Sequence, residues 1–348
     1  MLRMMAAVAL VAAGLPAPGA PPSAAQPEPT RLTIAASGDF LIHGPVAAQA
    51  LANGGGARYD FAPMFEPIRR WIERADLAIC HVETPLVPGP VVGYPSFRTP
   101  PSLAAAIRGT GWDVCSTASN HSLDAGQPGI NSTIRALRRA GIPFDGTARS
   151  ARGRRRVPIL EVQGVGIAFL AYTGISNGQL VPHPWSLNWA RARRILADAR
   201  AARRQGADAV IVNLHWGAEY LHAPTPEQLA LARRLTRSRA VTAIVGQHAH
   251  VVQPIRRING RIVVFGEGNL VSNQTVACCP AASQDGLIAL LDLEVDENGA
   301  RVRRTRYVPV WVRHPDYAVV PAPADSWRRT VSVVGRRKYL RPVPRRAP

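Results

Sequence analysis

A chain of 348 residues with 47% hydrophobic content is long enough to bury a full core and too apolar to be disordered. Its 42 basic and 23 acidic residues give a net charge of +19, yet Lys338 is the one lysine and the rest are arginine, an imprint of base composition more than of function. The arginines are scattered over predicted helix faces and the C-terminal stretch without the interleaved aromatics of a base-stacking platform, so nucleic acid is set aside as a partner while an anionic polymer stays open.

The first 25 residues carry Arg3, an apolar stretch from Met4 to Leu15 and small residues ending Ser23-Ala24-Ala25, the layout of a secretory signal peptide. It places the mature protein in the periplasm, at the cell surface or in the medium. An apolar run of about a dozen residues falls short of the ~20 that span a bilayer, which favours cleavage over a retained N-terminal anchor, and no second span is expected. Cys80, Cys115, Cys278 and Cys279 lack C-x-x-C spacing and do not read as a zinc knuckle. Export permits a disulfide, but Cys80 and Cys115 fall in predicted strands and read as small buried residues rather than as a bridge.

A linker over residues 26–31 ends the Pro-rich stretch, and one domain is expected over 32–312. The strand Leu32 to Ser37 delivers Gly38-Asp39, with His43 shortly after. Pro63 to Ala75 has helical spacing, with Phe65, Ile68 and Ile72 apolar on one face. Leu77 to Val82 is a strand ending in Glu83, a residue rarely left buried at a strand end without a partner. Residues 87–101 form a Pro/Gly-rich loop with Phe97-Arg98-Thr99-Pro100-Pro101, where Arg98 is either an exposed loop residue or a bidentate donor to an anion. Trp112 to Thr117 is strand-like and leads to Asn120, His121 and Asp124, the last one helical turn beyond His121 and close enough to orient its ring.

Pro128 to Ala140 is the next helix. Ile159 to Val162 and Val165 to Tyr172 read as a hairpin around Gln163-Gly164, and Leu187 to Arg204 as a long basic helix. The apolar run Ala209 to Leu214 delivers His215-Trp216-Gly217, then Glu219 and Tyr220. After a helix over Pro226 to Ser238, the strand Ala240 to Val245 delivers His248 and His250. Arg256 to Ile258 and Arg261 to Phe265 make a hairpin around Asn259-Gly260, ending at Gly268-Asn269, and a second hairpin spans Leu287 to Val312. Residues 313–348 read as an extended Pro/Arg-rich tail.

Strands alternating with helices, then hairpins, argue an α/β core with mixed sheets and helices outside. Asp39 alone reads as an N-cap, and two histidines past one strand are weak evidence. The set is more informative, because Asp39, Glu83, Asn120, His215, His248 and His250 all follow apolar runs whose C-terminal ends converge in such a core. Carboxylate, imidazole and amide donors without thiolate suit Mn²⁺, Fe²⁺ or Zn²⁺. Six donors are too many for one ion with open positions and suit two divalent ions bridged by a carboxylate at ~3.5–4 Å.

Seven ordered segments carry a family resemblance: Gly38-Asp39, Val82-Glu83-Thr84-Pro85-Leu86, Phe97-Arg98-Thr99-Pro100-Pro101, Asn120-His121-Ser122-Leu123-Asp124-Ala125-Gly126, His215-Trp216-Gly217-Ala218-Glu219-Tyr220, Gly246-Gln247-His248-Ala249-His250-Val251 and Gly268-Asn269. With them the chain resembles the CapA, or poly-γ-glutamate capsule biosynthesis, proteins of the calcineurin-like metallophosphatase superfamily. The resemblance implies a two-sheet αββα sandwich, with Asp39, Glu83, Asn120, His215, His248 and His250 as metal ligands and Glu83 as their bridge. It implies that His121, supported by Asp124, is a general acid, and that Arg98, Glu219, Tyr220 and Asn269 line the substrate side. The family usually has Asn-Leu-Glu where this chain has His81-Val82-Glu83, a histidine at Gln247, a proline at Ala249 and Ser-Leu-Gly-Asn at Glu267-Gly268-Asn269. Two functions follow as expectations. One is a metal-dependent hydrolase or transferase of surface-polymer synthesis, acting on a phosphorylated or γ-glutamyl substrate. The other is a non-catalytic polymer-binding or scaffold component of a capsule synthesis and export assembly.

Overall fold

The computed structural model describes residues 28–345 together with Ala7 and Ala9, so the expected signal peptide lies, but for those two, outside the described residues. Among the described residues the strands, in chain order, are β1 (Thr30–Phe40), β2 (Leu77–Val82), β3 (Val114–Ser116), β4 (Phe144–Asp145), β5 (Ile159–Val162), β6 (Val165–Thr173), β7 (Ala209–His215), β8 (Ala243–Gln247), β9 (Ile255–Ile258), β10 (Arg261–Val264), β11 (Asn269–Val271), β12 (Asp285–Asp296), β13 (Gly299–Val312), β14 (Val319–Pro321) and β15 (Leu340–Pro342). One sheet has the order β14-β13-β12-β1-β2-β3-β4, with β11 beside β1 and β15 beside β13; the other runs β5-β6-β7-β8-β10-β9. Strands β1 to β4 are parallel, as are β6, β7, β8 and β10, while β12, β13, β5 and β9 run antiparallel to their neighbours.

Period-two alternation sorts the apolar side chains into layers. In β6, Ile167, Phe169 and Ala171 face the other sheet and meet Ile34, Ala36 and Ile79, while Ala168, Leu170 and Tyr172 face outward onto Ile195, Ala199 and Leu235 of the helices Ala192–Arg204 and Pro226–Thr236. The outer face of the first sheet is covered by Gly44–Asn53, Leu103–Thr110 and the short helices between them, around an edge-to-face cluster of Phe40, Phe65 and Trp112. The architecture is thus the expected helix–sheet–sheet–helix sandwich.

Several local expectations need correction. Residues 313–345 are not an extended tail: β14 and β15 pair with β13, and the helix Ala324–Val334 is anchored by a bidentate Arg329–Asp285 ion pair with both N–O distances 2.8 Å. Prolines and arginines obscured the apolar residues Val319, Val334 and Leu340 that this segment buries. The helix expected over 63–75 breaks at Pro67 into Ala62–Phe65, a 3₁₀ turn Glu66–Ile68 and Arg69–Glu73, since proline supplies no N–H to the ladder. The helix expected from Leu187 starts at Ala192, because Leu187 and Trp189 bridge to Thr147 and Thr173 as extended chain. Gly44–Asn53 is a helix where none was expected. Finally, Cys80 and Cys115, expected to be unbridged, face each other in register across β2 and β3 and form a disulfide with Cα atoms 4.5 Å apart; Cys278 pairs with Cys279.

Candidate metal centre

Because the central strands of each sheet are parallel, their C-terminal ends share an edge, and the two sheets bring those edges together. Asp39 lies within β1, which runs past Ser37, and its register partner in β2 is His81. Glu83 follows β2, and Asn120 lies in the turn after β3. From the second sheet come His215, the last residue of β7, and His248 and His250, just after β8. His248 and His250 hold φ values of +94° and +54°, a left-handed backbone that costs a non-glycine residue roughly 1–3 kcal/mol and is retained where side-chain placement matters.

The distances define a ring of donors. Asp39 Oδ1 lies 3.6 Å from His81 Nε2 and 3.8 Å from His215 Nδ1, and Asp39 Oδ2 lies 3.5 Å from His250 Nδ1 and accepts the His248 N–H at 3.3 Å. Glu83 Oε1 is 3.9 Å from His215 Nε2 and 3.7 Å from His250 Nε2, and Asn120 Oδ1 is 2.8 Å from His215 Nε2. The Asn120 amide nitrogen donates to Asn177 Oδ1 at 3.1 Å, which turns its oxygen toward the cluster. Asp39, His81, Glu83, Asn120, His215, His248 and His250 are all buried, yet Asp39 Oδ1, both Glu83 oxygens, both His81 nitrogens, His215 Nδ1 and His248 Nδ1 have no hydrogen-bond partner. Two buried carboxylates with three of their four oxygens lacking a hydrogen bond are costly unless a cation neutralises them. Three triads in this region hold their donor atoms within 4.8 Å of one another: Asp39, His81 and His215; Asp39, Glu83 and His250; Glu219, His248 and His250. The cluster has the chemistry of a metal site.

Electrostatics match that reading. Burial pushes His81 down to about 4 and His248 to about 3, and drives His215 well below the usual histidine range, so all three rings are neutral and ready to donate a lone pair at neutral pH. Burial also acts to lower His250, but the Glu83 and Asp39 carboxylates overcome it and hold the ring at about 10. Burial, then the Asp39 charge, raises Glu83 well above the carboxylate range. These shifts predict the pH profile of the metal-stripped protein. The depressed His81 and His248 contribute stability that is complete above the unfolded value near 6.5 and is lost as pH falls toward 4, while the raised His250 contributes stability that is lost as pH rises toward 10. An NMR titration of the metal-stripped protein should therefore find the His81 and His248 rings still neutral at about pH 5, where a free imidazole is almost wholly protonated. Rings that protonate near 6.5 would contradict their burial.

His121 sits at the rim, 7% exposed. Its Nδ1–H donates to Asp124 Oδ2 at 2.8 Å, and Asp124 also accepts the Phe97 backbone N–H at 2.7 Å and Gln179 Nε2 at 2.8 Å. Phe97 packs edge-on against the His121 ring with centroids 4.7 Å apart. The imidazole is thus fixed in orientation, with Nε2 left free for proton transfer.

The four residues expected on the substrate side fare differently. Glu219 is exposed at the mouth beside His248 and His250. Tyr220, held at φ +63° with its N–H on Ala249 O at 2.7 Å, places its ring 6.3 Å from that of His250. Arg98 is exposed, and its side chain makes no ion pair among the described residues. Asn269 is not at the substrate side. It is fully buried behind His250, accepting from the ring Nδ1 at 2.9 Å while its amide donates to Ser283 O and Gln274 Oε1, both at 2.9 Å. It orients the His250 ring.

Sequence reasoning passed over Asn177 and Gln179, which lie on a loop without periodicity, and Asn213, which forms a buried chain with Gln247 and Glu267. There Asn213 Nδ2 donates to Gln247 Oε1 and Gln247 Nε2 to Glu267 Oε2, each at 2.8 Å. Burial raises Glu267 to about 8, so its carboxyl is largely protonated at neutral pH. The signal for Gln247 and Glu267 was their departure from the family pattern.

Comparison with known proteins gives a family and a fold. The profile of the family described as "Bacterial capsule synthesis protein PGA_cap" matches residues 33–274. The chain is 27% identical over 258 residues to the capsule biosynthesis protein CapA of Bacillus anthracis, covering 71% of this chain and 61% of that protein. It is 29% identical over 189 residues to the PGA biosynthesis protein CapA of Bacillus subtilis, covering 51% and 47%. A probable polyglutamine synthesis accessory protein of Mycobacterium tuberculosis is 28% identical over 190 residues, covering 51% and 50%. The chain thus spans less than two thirds of the length of these relatives. The fold is shared with the calcineurin-like phosphoesterase YfkN from Bacillus subtilis, at a TM-score of 0.54 and 16% identity over 87% of this chain and 96% of that one.

Proposed function

Because the chain belongs to the bacterial capsule synthesis protein PGA_cap family, we propose that it is an exported, metal-dependent hydrolase or transferase of surface-polymer synthesis, acting on an anionic polymer such as poly-γ-glutamate or its phosphorylated or γ-glutamyl precursor. The observation that carries this reading is the convergence of Asp39, Glu83, Asn120, His215, His248 and His250, from β1, β7 and the segments that follow β2, β3 and β8, into one buried cluster in which Asp39 Oδ1, both Glu83 oxygens, His215 Nδ1 and His248 Nδ1 lack hydrogen-bond partners. These residues would hold two divalent cations of the Mn²⁺, Fe²⁺ or Zn²⁺ class; Glu83 Oε1 lies 3.9 Å from His215 Nε2 and 3.7 Å from His250 Nε2. Such cations supply Lewis-acid polarisation and lower the pKa of water.

The chain's own groups do the rest. Asn269 and Asn177 aim His250 and Asn120. Asp124 holds the Nδ1–H of His121, and from the doubly protonated ring Nε2–H is the proton given to a departing oxygen or nitrogen. Phe97 shields the inner face of that ring from water. Glu219 and Tyr220 line the entrance. Metal analysis of the purified protein beside an Asp39→Ala, His248→Ala double variant tests the proposal. About two equivalents in the former and near none in the latter are expected; equal, negligible metal in both would sink it. If metal is bound, a generic phosphodiester and a γ-glutamyl peptide separate the reaction classes.

A second reading, a polymer-binding component of the assembly, draws on one feature. A groove of about 820 Å³ is lined by Arg200, Arg203, Arg204, Arg239, Arg261 and Arg301, at the sheet edge away from the metal cluster. Polymer binding that is lost in high salt, with full function in the double variant, would favour this reading over the enzyme.

A further inference from the structure

His81 stands where the related proteins usually carry asparagine, and in the sequence it reads as a departure with no assigned task. The structure places it inside the cluster. It is in direct register with Asp39 across the parallel pair β1 and β2. The alternation of β2 turns Ile79 and His81 toward the second sheet while Cys80 faces the other way. There the His81 ring lies against His215, with centroids 4.9 Å apart and planes at 24°.

Two ordinary roles for a buried histidine fail on geometry. A core imidazole normally hydrogen-bonds through at least one nitrogen, but both His81 nitrogens lack a partner although the residue is 0% exposed. A histidine serving only to orient Asp39 would approach it at hydrogen-bond distance, whereas His81 Nε2 is 3.6 Å from Asp39 Oδ1. That separation suits two atoms sharing one cation, since ligands about 2.1 Å from a tetrahedral ion lie ~3.4 Å apart. His215 Nδ1, also without a partner, is 3.8 Å from the same carboxylate oxygen, which completes a triad around Asp39.

We infer that His81 is a metal ligand of this chain, binding through Nε2 to the ion held by Asp39. The inference rests on the metal reading above and deepens it. An added imidazole in place of an amide moves the site's preference toward Zn²⁺ or Fe²⁺ and away from the oxygen-seeking Mn²⁺ and Mg²⁺.

An anomalous-scattering map from crystals of the unaltered protein grown with Zn²⁺ tests this directly. A peak about 2.0–2.3 Å from His81 Nε2 is expected. A peak beside Asp39 but more than about 3 Å from both His81 nitrogens would overturn the inference and leave the metal reading standing. No peak at all would overturn both. In solution, X-ray absorption of the Zn²⁺-loaded protein should count one imidazole more than in His81→Asn and His81→Gln, and both variants should bind Zn²⁺ at least tenfold more weakly. An unchanged imidazole count in a folded variant would contradict the inference even if affinity fell.

Discussion

Replacing His121 by asparagine is expected to lower turnover by roughly 10²–10⁴-fold, the usual contribution of a positioned general acid, while leaving metal content unchanged. The separation of the two effects follows from the geometry. His121 is held at the rim by Asp124 and Phe97, whereas the buried cluster is built by Asp39, Glu83, Asn120, His215, His248 and His250. The most informative measurement compares two substrates of one class. A leaving group that departs as a stable anion needs no proton, so the loss should shrink for a p-nitrophenyl ester and be largest for an alkyl ester. Asp124→Asn should show the same pattern more weakly, because the amide oxygen can still accept from Nδ1–H but the carboxylate charge beside the ring is lost. An equal loss for both substrates would show that His121 binds substrate rather than delivering a proton.

The second large effect concerns the backbone. Gly38→Ala is expected to destabilise the fold by about 3 kcal/mol or more and to abolish metal binding. A β-carbon at Gly38 would lie 1.8 Å from Gly268 O, a main-chain atom that cannot rotate aside. The same approach lets the Asp39 N–H donate to Gly268 O at 3.0 Å, so the chain must separate here, and with it Asp39 from the cluster. Gly109→Ala is the matched control: it lies within the helix Leu103–Thr110, a β-carbon there meets nothing within 4 Å, and its effect should stay within about 1 kcal/mol. Thermal and urea unfolding of both variants, with metal content alongside, give the comparison. A Gly38→Ala protein as stable as the Gly109→Ala protein would refute the packing argument.

Much of this was legible before any coordinates. The apolar runs ending at Glu83, His215 and His248 are parallel strands buried on both faces, which write a continuous hydrophobic signal. Asn259-Gly260 and Gln163-Gly164 announce their hairpins because those turns demand left-handed backbone. The C-terminal segment was misjudged for the complementary reason. Its strands β14 and β15 are three residues each and count only through β13, a partner that local composition cannot reveal. The Cys80–Cys115 pair likewise depends on the register of two strands separated by a helix.

The chain by itself determined the donor types that the strands carry, carboxylate, imidazole and amide without thiolate, because each follows an apolar run. It also determined the family, through ordered motifs from Gly38 to Asn269. Only the tertiary structure decided which donors meet. The parallel register of β1 and β2 sets His81 beside Asp39, and Asn269 turns out to sit behind His250 rather than before a substrate. The physical reason is that a strand's period tells which face a side chain takes, while its neighbours across the sheet and between sheets are chosen by long-range pairing and packing.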